Sequence, residues 1–280
     1  MNIASEDLST KLPCTGSILV IDSGVGGLSV CQSILEQQPR LQLIYFADSA
    51  FFPYGLLPEE KLQERLKYIV SHMLSIYQPA LVVLACNTVS TLVLPELRAL
   101  FDIPFVGVVP AIKPAAAMSQ TKRIGLLATP ATVNRPYTDQ LINDYASDCE
   151  VIKVGSSELV HETEKLLRGQ AVSVNVLQAV LKSFKNDQGE LLVDAIVLGC
   201  THFPLLRNHL AEQLPGPSWV DSGRAIANRV SHLLAGMPEK QGEVSGEHQI
   251  YFSKPLQDEE ALSAALKNLG LKAFRFHYFS

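Results

Sequence analysis

Short aliphatic runs alternate with amphipathic segments along almost the whole chain. The aliphatic runs, each typical of a buried strand, lie at residues 18–22, 41–47, 81–85, 105–108, 124–128, 151–154, 195–198 and 219–220. The amphipathic segments predict helices at residues 28–37, 59–76, 92–101, 137–145, 159–167 and 174–184, and the tail adds a strand at 249–252 and a helix at 258–268. Strands that alternate with helices form parallel sheets covered on both faces. The pattern therefore predicts an α/β fold.

The chain also contains a weak internal repeat. Ala85-Cys86-Asn87-Thr88 and Gly199-Cys200-Thr201-His202 each place a cysteine where an aliphatic run gives way to a polar loop. Between them, Pro110 and Pro114 bracket segment 108–114, and each disfavours helix in the residue before it. We expect this segment to be a hinge between two similar α/β domains. Because ligands bind at the carboxyl ends of strands in open α/β sheets, we expect a ligand held between the domains, with one sulfur on each side.

Size and composition narrow the class of protein. The 280 residues are enough for two domains, and 47% hydrophobic with 18% charged residues is typical of a folded soluble protein. The net charge of −5, with no basic block, gives little support for binding nucleic acid or an anionic membrane. Residues 1–14 lack the apolar core of a secretory signal, and polar residues interrupt the most apolar stretch, 80–94, so no membrane span is expected.

Cysteine usage predicts a reducing compartment. The chain has five cysteines, none in a C-x-x-C pair, which argues against a disulfide framework or a zinc ribbon and favours the cytoplasm. We interpret Cys14, Cys31 and Cys149 as structural, because a free cysteine most often acts as a small hydrophobic residue. Cys86 and Cys200 differ because polar side chains follow both. We expect a thiol near a helix N-terminus or a cation to have its thiolate favoured, with His202 as the partner of Cys200.

Two loops could hold an acidic ligand. The first is Asp22-Ser23-Gly24-Val25-Gly26-Gly27, which follows the first strand and opens a helix. In one interpretation, its glycines serve only to make a turn. In the other, its free N–H groups and Ser23 hold a carboxylate while Asp22 binds an ammonium. The glycine spacing fits a dinucleotide fingerprint poorly. Phe52-Pro53-Tyr54-Gly55 follows the second strand. It is either a plain turn or a wall of the same pocket that offers the amides of Tyr54 and Gly55.

Four chemistries use two thiols and a histidine. A metal site lacks a compact ligand cluster, a redox dithiol lacks the usual C-x-x-C arrangement, and a Cys–His hydrolase needs only one sulfur. A two-base isomerase needs both sulfurs, because one removes a proton from a carbon while the other protonates the opposite face. No lysine lies in these strand-end motifs to hold pyridoxal phosphate. We therefore expect no cofactor and no metal.

The four motifs together resemble the signature of the cofactor-independent glutamate racemases of the aspartate/glutamate racemase family, in order, from about residue 18 to 234. One departure is Val89-Ser90 after the first cysteine motif, where the family usually has Ala first. The resemblance implies two facing α/β domains with the active site in the cleft. We expect residues 1–109 with 222–280 to form the first domain, with Cys86, and residues 110–221 to form the second, with Cys200.

The family pattern also implies roles for individual residues. Cys86 and Cys200 would be the two acid/base groups, and Glu164 would match a carboxylate of the second domain near the second thiol. The residues implied to bind substrate are Asp22, Ser23, Tyr54, Gly55, Asn87, Thr88, Thr201 and His202. The implied activity is the interconversion of L- and D-glutamate, which supplies D-glutamate for peptidoglycan. The alternatives are a racemase of aspartate or another amino acid, and a binding module that no longer turns over.

Segment 107–114 and the residues before Ser17 resemble the Gram-negative subset of the family. This resemblance implies activation by UDP-N-acetylmuramoyl-L-alanine bound at the hinge. Arg98 and Lys113 are the candidate contacts for this anionic activator. The alternative is that both are solvated surface charges.

Overall fold

The computed structural model describes residues 16–236 and 247–279. The strands are β1 (Ser17–Asp22), β2 (Gln42–Ala47), β3 (Val82–Leu84), β4 (Phe105–Gly107), β5 (Arg123–Ala128), β6 (Glu150–Gly155), β7 (Ala195–Leu198), β8 (Ser218–Val220), β9 (His248–Phe252) and β10 (Phe274–Tyr278). The helices are α1 (Leu28–Gln37), α2 (Glu59–Ile76), α3 (Asn87–Leu92), α4 (Leu94–Leu100), α5 (Ile112–Met118), α6 (Pro130–Val133), α7 (Pro136–Tyr145), α8 (Glu158–Leu167), α9 (Val174–Leu181), α10 (Arg207–Gln213), α11 (Gly223–Ala235) and α12 (Glu259–Asn268). Cys14 and the N-terminal extension lie outside the described residues.

The strands form two parallel sheets. The larger has the order β10-β9-β2-β1-β3-β4 and the smaller the order β6-β5-β7-β8. Alternate residues of β1 point into different cores, since Ile18 and Val20 pack on one face of the larger sheet and Leu19 and Ile21 on the other. Parallel sheets buried on both faces read as continuous aliphatic runs, as the sequence does. The predicted α/β class is confirmed.

The two sheets repeat one strand order. Around β1 the order is β2-β1-β3-β4, and around β5 it is β6-β5-β7-β8, so β3 and β7 hold equivalent places. Cys86 lies two residues after the end of β3, and Cys200 lies two residues after the end of β7. The repeat seen in the sequence therefore corresponds to equivalent strand ends, which deliver one thiol from each sheet.

The chain passes between the sheets twice. The first crossing follows β4, and α5 then packs through Ile112 and Ala115 into the core of the smaller sheet. The second follows β8, and α11 packs through Ile226 and Val230 into the core of the larger sheet. The Ser222 hydroxyl in the second crossing donates to the Val109 carbonyl in the first, so the two connections are joined. The division into domains at residues 109 and 222 stays a prediction.

Two predicted elements differ from the structure. The helix expected at 92–101 is two helices, α3 and α4, which meet at Val93, because Pro95 is accommodated only in the first turn of a new helix. The segment expected to be a hinge loop to Pro114 is helical from Ile112, so Lys113 and Pro114 belong to α5. Proline is tolerated in a first helical turn, where its missing N–H would have no partner in the helix.

The tail joins the larger sheet. β9 pairs with β2 in the register Ile44↔Gln249, and β10 pairs with β9 as the edge strand. Among the described residues, none of the helices is long and apolar enough to cross a membrane.

Candidate active site

A cavity of about 370 Å³ lies between the two sheets at the carboxyl ends of their strands. It is lined by both cysteines and by every residue that the sequence pattern assigned to the substrate. These residues are Asp22, Ser23, Tyr54, Gly55, Cys86, Asn87, Thr88, Cys200, Thr201 and His202. Four segments far apart in the sequence therefore meet around one space. Their individual roles stay predictions.

Cys86 is the N-cap residue of α3 and has an extended backbone. Burial raises the pKa of the Cys86 thiol above its ordinary value, and the nearby Asp22 carboxyl raises it further, although the N–H groups of Val89 and Thr88 act in the opposite direction. The sequence led us to expect a favoured thiolate at a helix N-terminus. At Cys86 the structure gives the opposite direction, because the desolvation of a buried anion outweighs the amides of a short helix.

Cys200 has a charged partner on its own loop. Its sulfur lies 3.8 Å from Nδ1 of His202, whose Nε2 lies 3.1 Å from Oε1 of Glu164. Burial opposes the imidazolium charge, but the hydrogen bonds to Cys200 and Glu164 and the charge of Asp22 together raise the pKa of His202 well above its usual value. His202 thus lies between the Glu164 carboxylate and the Cys200 sulfur, with one ring nitrogen facing each.

Glu164 lies behind His202, one step from the cavity. Its Oε1 accepts the Val25 N–H at 3.0 Å, and its Oε2 lies 2.6 Å from Nη1 of Arg168. Burial disfavours its charge, yet the hydrogen bond and charge of His202, with Val25 and Arg168, lower the pKa of Glu164 to about 2. The sequence placed this carboxylate near the second thiol, and the structure connects it to that thiol through His202.

Asp22 is fully buried at the end of β1. Its Oδ1 accepts the Ser23 N–H at 2.5 Å, and its Oδ2 accepts the Thr201 hydroxyl at 3.0 Å. Burial raises the pKa of Asp22 to about 6, and the opposing charge of His202 limits the rise. A carboxylate on one sheet thus bonds the loop that carries the thiol of the other.

The glycine turn packs against the smaller sheet. We expected its N–H groups to be free for a ligand, but the Val25 N–H is occupied by Glu164, and residues 24–27 do not line the cavity. A methyl group built on Gly26 would lie 2.1 Å from Nδ1 of His202, so glycine is required there for the imidazole to fit. The anion that this turn binds belongs to the protein itself.

The Tyr54-Gly55 loop is held from below by a buried ion pair that sequence reasoning missed. The Tyr54 hydroxyl donates to Asp48 Oδ2 at 2.9 Å, and Arg65 binds both oxygens of Asp48 at 3.0 and 2.7 Å. The Tyr54 side chain is thus committed to the protein, and only the backbone of this loop is left for a ligand. The sequence did contain a signal for this ion pair, because Asp48 directly follows β2, and β1 likewise ends in an aspartate.

Sequence reasoning also missed the wall that the smaller sheet supplies. It consists of the segment after β5 and the start of α8, namely Thr129, Pro130, Ala131, Thr132, Asn134, Ser157, Val160 and His161. These residues follow strands in the same way as the recognised motifs, but apart from His161 they carry no titratable side chain.

The polar groups that line the cavity are backbone amides, hydroxyls, side-chain amides, two thiols, two histidines and the Asp22 carboxyl. Among the described lining residues there is neither lysine nor arginine, so an anionic ligand would be met by backbone amides, hydroxyls and histidine. The buried Oδ1 of Asn87 has no hydrogen-bond partner in the described part of the protein. A buried carbonyl without a donor costs free energy, and a ligand ammonium would satisfy it.

The two candidate activator contacts lie outside the cavity. Arg98 on α4 donates through Nη2 to the Phe105 carbonyl at 2.9 Å, and the Lys113 ammonium lies 5.3 Å from the centre of the Tyr145 ring. Both side chains belong to exposed residues.

The described residues contain four cysteines, Cys31, Cys86, Cys149 and Cys200, and all are free thiols. Within the same residues, no group of three or more His, Cys, Asp or Glu side chains is placed to hold a metal ion.

Comparisons with known proteins identify relatives of this chain. Residues 18–230 match the family model described as Asp/Glu/Hydantoin racemase. The chain is 45% identical to a glutamate racemase of Vibrio campbellii, covering 90% of this chain and 92% of the relative. It is 48% identical to a glutamate racemase of Pectobacterium atrosepticum, covering 84% and 82%. The crystal structure of Escherichia coli glutamate racemase in complex with L-glutamate and the activator UDP-MurNAc-Ala superposes with a TM-score of 0.86 at 41% identity, covering 94% of this chain and 98% of that one.

Proposed function

This chain belongs to the Asp/Glu/Hydantoin racemase family, and we propose that it interconverts L-glutamate and D-glutamate, with Cys86 and Cys200 as the two acid/base groups. The observation that carries this proposal is the delivery of one thiol from each sheet, at equivalent strand ends, to a single cavity. The relatives named above favour glutamate as the substrate. The product would serve peptidoglycan synthesis, and the free thiols of the protein favour the cytoplasm.

The two thiols have different surroundings. A two-base racemase requires such a difference at the start of a turnover, because one sulfur removes a proton and the other donates one. Nδ1 of His202, whose pKa is raised well above its usual value, lies 3.8 Å from the Cys200 sulfur, whereas burial and Asp22 raise the pKa of Cys86. The Cys200 thiolate removes the Cα proton from one face, and the Cys86 thiol protonates the opposite face. After one turnover the two sulfurs have exchanged protonation states, and the reverse reaction begins from the other side.

The remaining groups hold the substrate while charge develops at its α-carbon. The Asp22 carboxylate and the Asn87 Oδ1 are suited to the ammonium, and the backbone amides at Tyr54-Gly55 and the Thr88 hydroxyl are suited to carboxylates. The weakly acidic Cα–H requires stabilisation of an enolate-like transition state, which preorganised donors in a closed cleft provide without a cofactor.

Measurement of optical rotation tests this proposal. Purified protein, dialysed against a chelator and treated with a carbonyl reagent, is given L-glutamate with no added cofactor, and loss of rotation is expected. L-Aspartate and other amino acids in parallel separate a glutamate racemase from a racemase of another substrate. Binding of glutamate without loss of rotation would identify a binding module and refute the proposed activity. A visible band from bound pyridoxal, or activity recovered only on adding a metal, would refute the cofactor-free mechanism.

We also propose that UDP-N-acetylmuramoyl-L-alanine activates this protein, with Arg98 and Lys113 as contacts. The proposal is supported by the structural likeness to the Escherichia coli enzyme, which was crystallised with that activator. Both cations are exposed next to the first crossing between the sheets, Arg98 beside β4 and Lys113 in the first turn of α5. An anion bound there would meet the segment whose geometry sets the cleft.

A further inference from the structure

Tyr45 is a fully buried residue of β2 that does not line the cavity. Its hydroxyl donates to the Gly24 carbonyl at 2.7 Å. A buried tyrosine hydroxyl usually has a partner, so this bond alone would be ordinary. This hydrogen bond is distinguished by the peptide unit that accepts it, because the N–H of that unit makes a second hydrogen bond in the opposite direction.

The Gly24 carbonyl and the Val25 N–H belong to one peptide unit. The carbonyl accepts from Tyr45, and the N–H donates to Glu164 Oε1 at 3.0 Å. Because a peptide unit is planar and rigid, the two bonds fix its orientation from opposite ends. Rotation of the unit away from Tyr45 would turn its N–H away from the carboxylate.

From Glu164 the chain of contacts continues to one thiol only. The same Oε1 lies 3.1 Å from His202 Nε2, and Nδ1 of that ring lies 3.8 Å from the Cys200 sulfur. Cys86 is bounded instead by the first amides of α3 and by Asp22. The hydroxyl of Tyr45 is thus linked through a peptide, a carboxylate and an imidazole to the thiol of the opposite sheet.

We propose that Tyr45 is a positioning residue for the Cys200 half of the reaction, acting through the Gly24–Val25 peptide on Glu164 and His202. This inference rests on the proposed racemase function and adds a residue of the larger sheet to the apparatus that orients the base of the smaller one. Loss of the hydroxyl leaves the Gly24 carbonyl without this donor and releases the peptide to rotate, so Glu164 no longer holds the imidazole in one place. Proton transfer by Cys200 should suffer, and proton transfer by Cys86 should not.

A half-reaction that uses one thiol at a time tests this inference. With the two α-epimers of 3-chloroglutamate, a thiolate removes the Cα proton, chloride leaves Cβ, and the enamine tautomerises and hydrolyses to 2-oxoglutarate and ammonium. The epimer on which Cys200 acts is defined as the one whose elimination is lost in Cys200→Ser. We expect Tyr45→Phe to slow elimination from that epimer about tenfold more than from the other.

The ratio of the two rates in one sample does not depend on the fraction of folded protein. An equal loss with both epimers would show that the hydroxyl serves only the fold and would overturn the proposal, as would no loss with either. Exposed Tyr137→Phe is the control and should leave the ratio unchanged. In a Glu164→Gln background, Tyr45→Phe should change the ratio no further, because coupled residues are not additive.

A second variant covers the case in which Tyr45→Phe does not fold. A methyl group on Gly24 would lie 2.4 Å from Glu164 Oε1, so Gly24→Ala displaces the carboxylate from the same peptide. It should reproduce the asymmetry, and symmetric rates would contradict the proposal. If wild-type protein eliminates chloride but does not racemise glutamate, the proposed function fails while the role of Tyr45 is still measured. If wild-type protein catalyses neither reaction, both proposals fail.

Discussion

The Ser29 hydroxyl lies 2.7 Å from the carbonyl of Thr201, which follows β7 of the other sheet and lies 172 positions further along the chain. It also lies 2.9 Å from the Gly26 carbonyl in its own turn. A hydroxyl has one proton, so it can donate to only one of these oxygens at a time. If the sheets separate, the bond to Gly26 stays available, and closing the cleft exchanges one partner for another. We therefore expect the Ser29 hydroxyl to keep a hydrogen-bond partner both in this arrangement and in one where the sheets lie further apart.

Ser29→Ala should weaken the closed arrangement. It removes a hydrogen bond to the residue after Cys200, and we expect kcat/KM for glutamate to fall about fivefold, the scale of one net hydrogen bond. Steady-state kinetics in both directions measure the effect. Ser33→Ala, on the same helix, removes only a bond to the Ser29 carbonyl and is the matched control. Kinetics of Ser29→Ala equal to wild type would show that the bond to Thr201 does not contribute to closure.

Both thiols should be required for racemisation. Cys86→Ser and Cys200→Ser are each expected to lower kcat at least ~10³-fold, the scale of a lost acid or base. Because the thiols face opposite sides of the α-carbon, each variant should also fail unequally with the two epimers of 3-chloroglutamate. Cys149→Ser, at a thiol outside the cavity, should retain wild-type rates. Racemisation within about tenfold of wild type in either active-site variant would exclude two-thiol chemistry.

Asp22 should make the protein less stable as pH rises. Its pKa is about 6 in the folded state against an ordinary value of 3.8, so between these values the folded state binds more protons than the unfolded state. The free energy of unfolding then falls with rising pH. Relative to Asp22→Asn, wild type should lose about 3 kcal/mol between pH 3 and pH 7. Urea unfolding of both proteins across this range measures the difference, and parallel curves would show that Asp22 titrates normally.

UDP-N-acetylmuramoyl-L-alanine should raise a low basal rate of racemisation. An activator raises activity only by its differential affinity for the closed and open arrangements. Lys113→Ala should reduce the ratio of activated to basal rate, because it removes a cation available to the phosphates. Lys182→Ala, at the exposed lysine that directly follows α9, should respond as wild type does. A wild-type protein fully active alone, and unchanged at saturating activator, would remove this chain from the activated subset.

Much of the fold could be predicted because buried parallel strands consist of continuous aliphatic residues, which are visible in the sequence. The predicted bounds of α1 and α2 match the structure, and the first eight strands lie within one residue of their predicted ends. The edge strand β10 was missed because it contains no continuous aliphatic run. Its Phe274, Phe276 and Tyr278 alternate with polar residues, as is typical of a half-buried strand with one sheet neighbour. The return of the chain at residue 222 was expected from the family resemblance, and not from a local motif of the kind that Pro110 and Pro114 provide.

The sequence predicted many of the residues that line the site, but it did not predict their pKa shifts or hydrogen-bond partners. Polar residues after strands identified Asp22, Cys86 and Cys200, because carboxyl ends of parallel strands meet in space. Spacing along a chain does not say how deeply a group is buried. The raised pKa of Cys86 follows from desolvation, and the occupied amide of Val25 follows from a contact between distant segments. Neither is visible in a sequence pattern.

The pairing of β2 with β9 also sets the order in which the protein can be completed during synthesis. All strands of the smaller sheet have left the ribosome once residue 220 has emerged, but β2 gains its outer neighbour only when residues 248–252 follow. Until then the larger sheet, begun first, has an open edge of unpaired backbone groups, which invites association with other chains. A chain that stops short of residue 248 would carry every residue of the cavity and still expose that edge. For such a product we expect aggregation, rather than a shortened active enzyme.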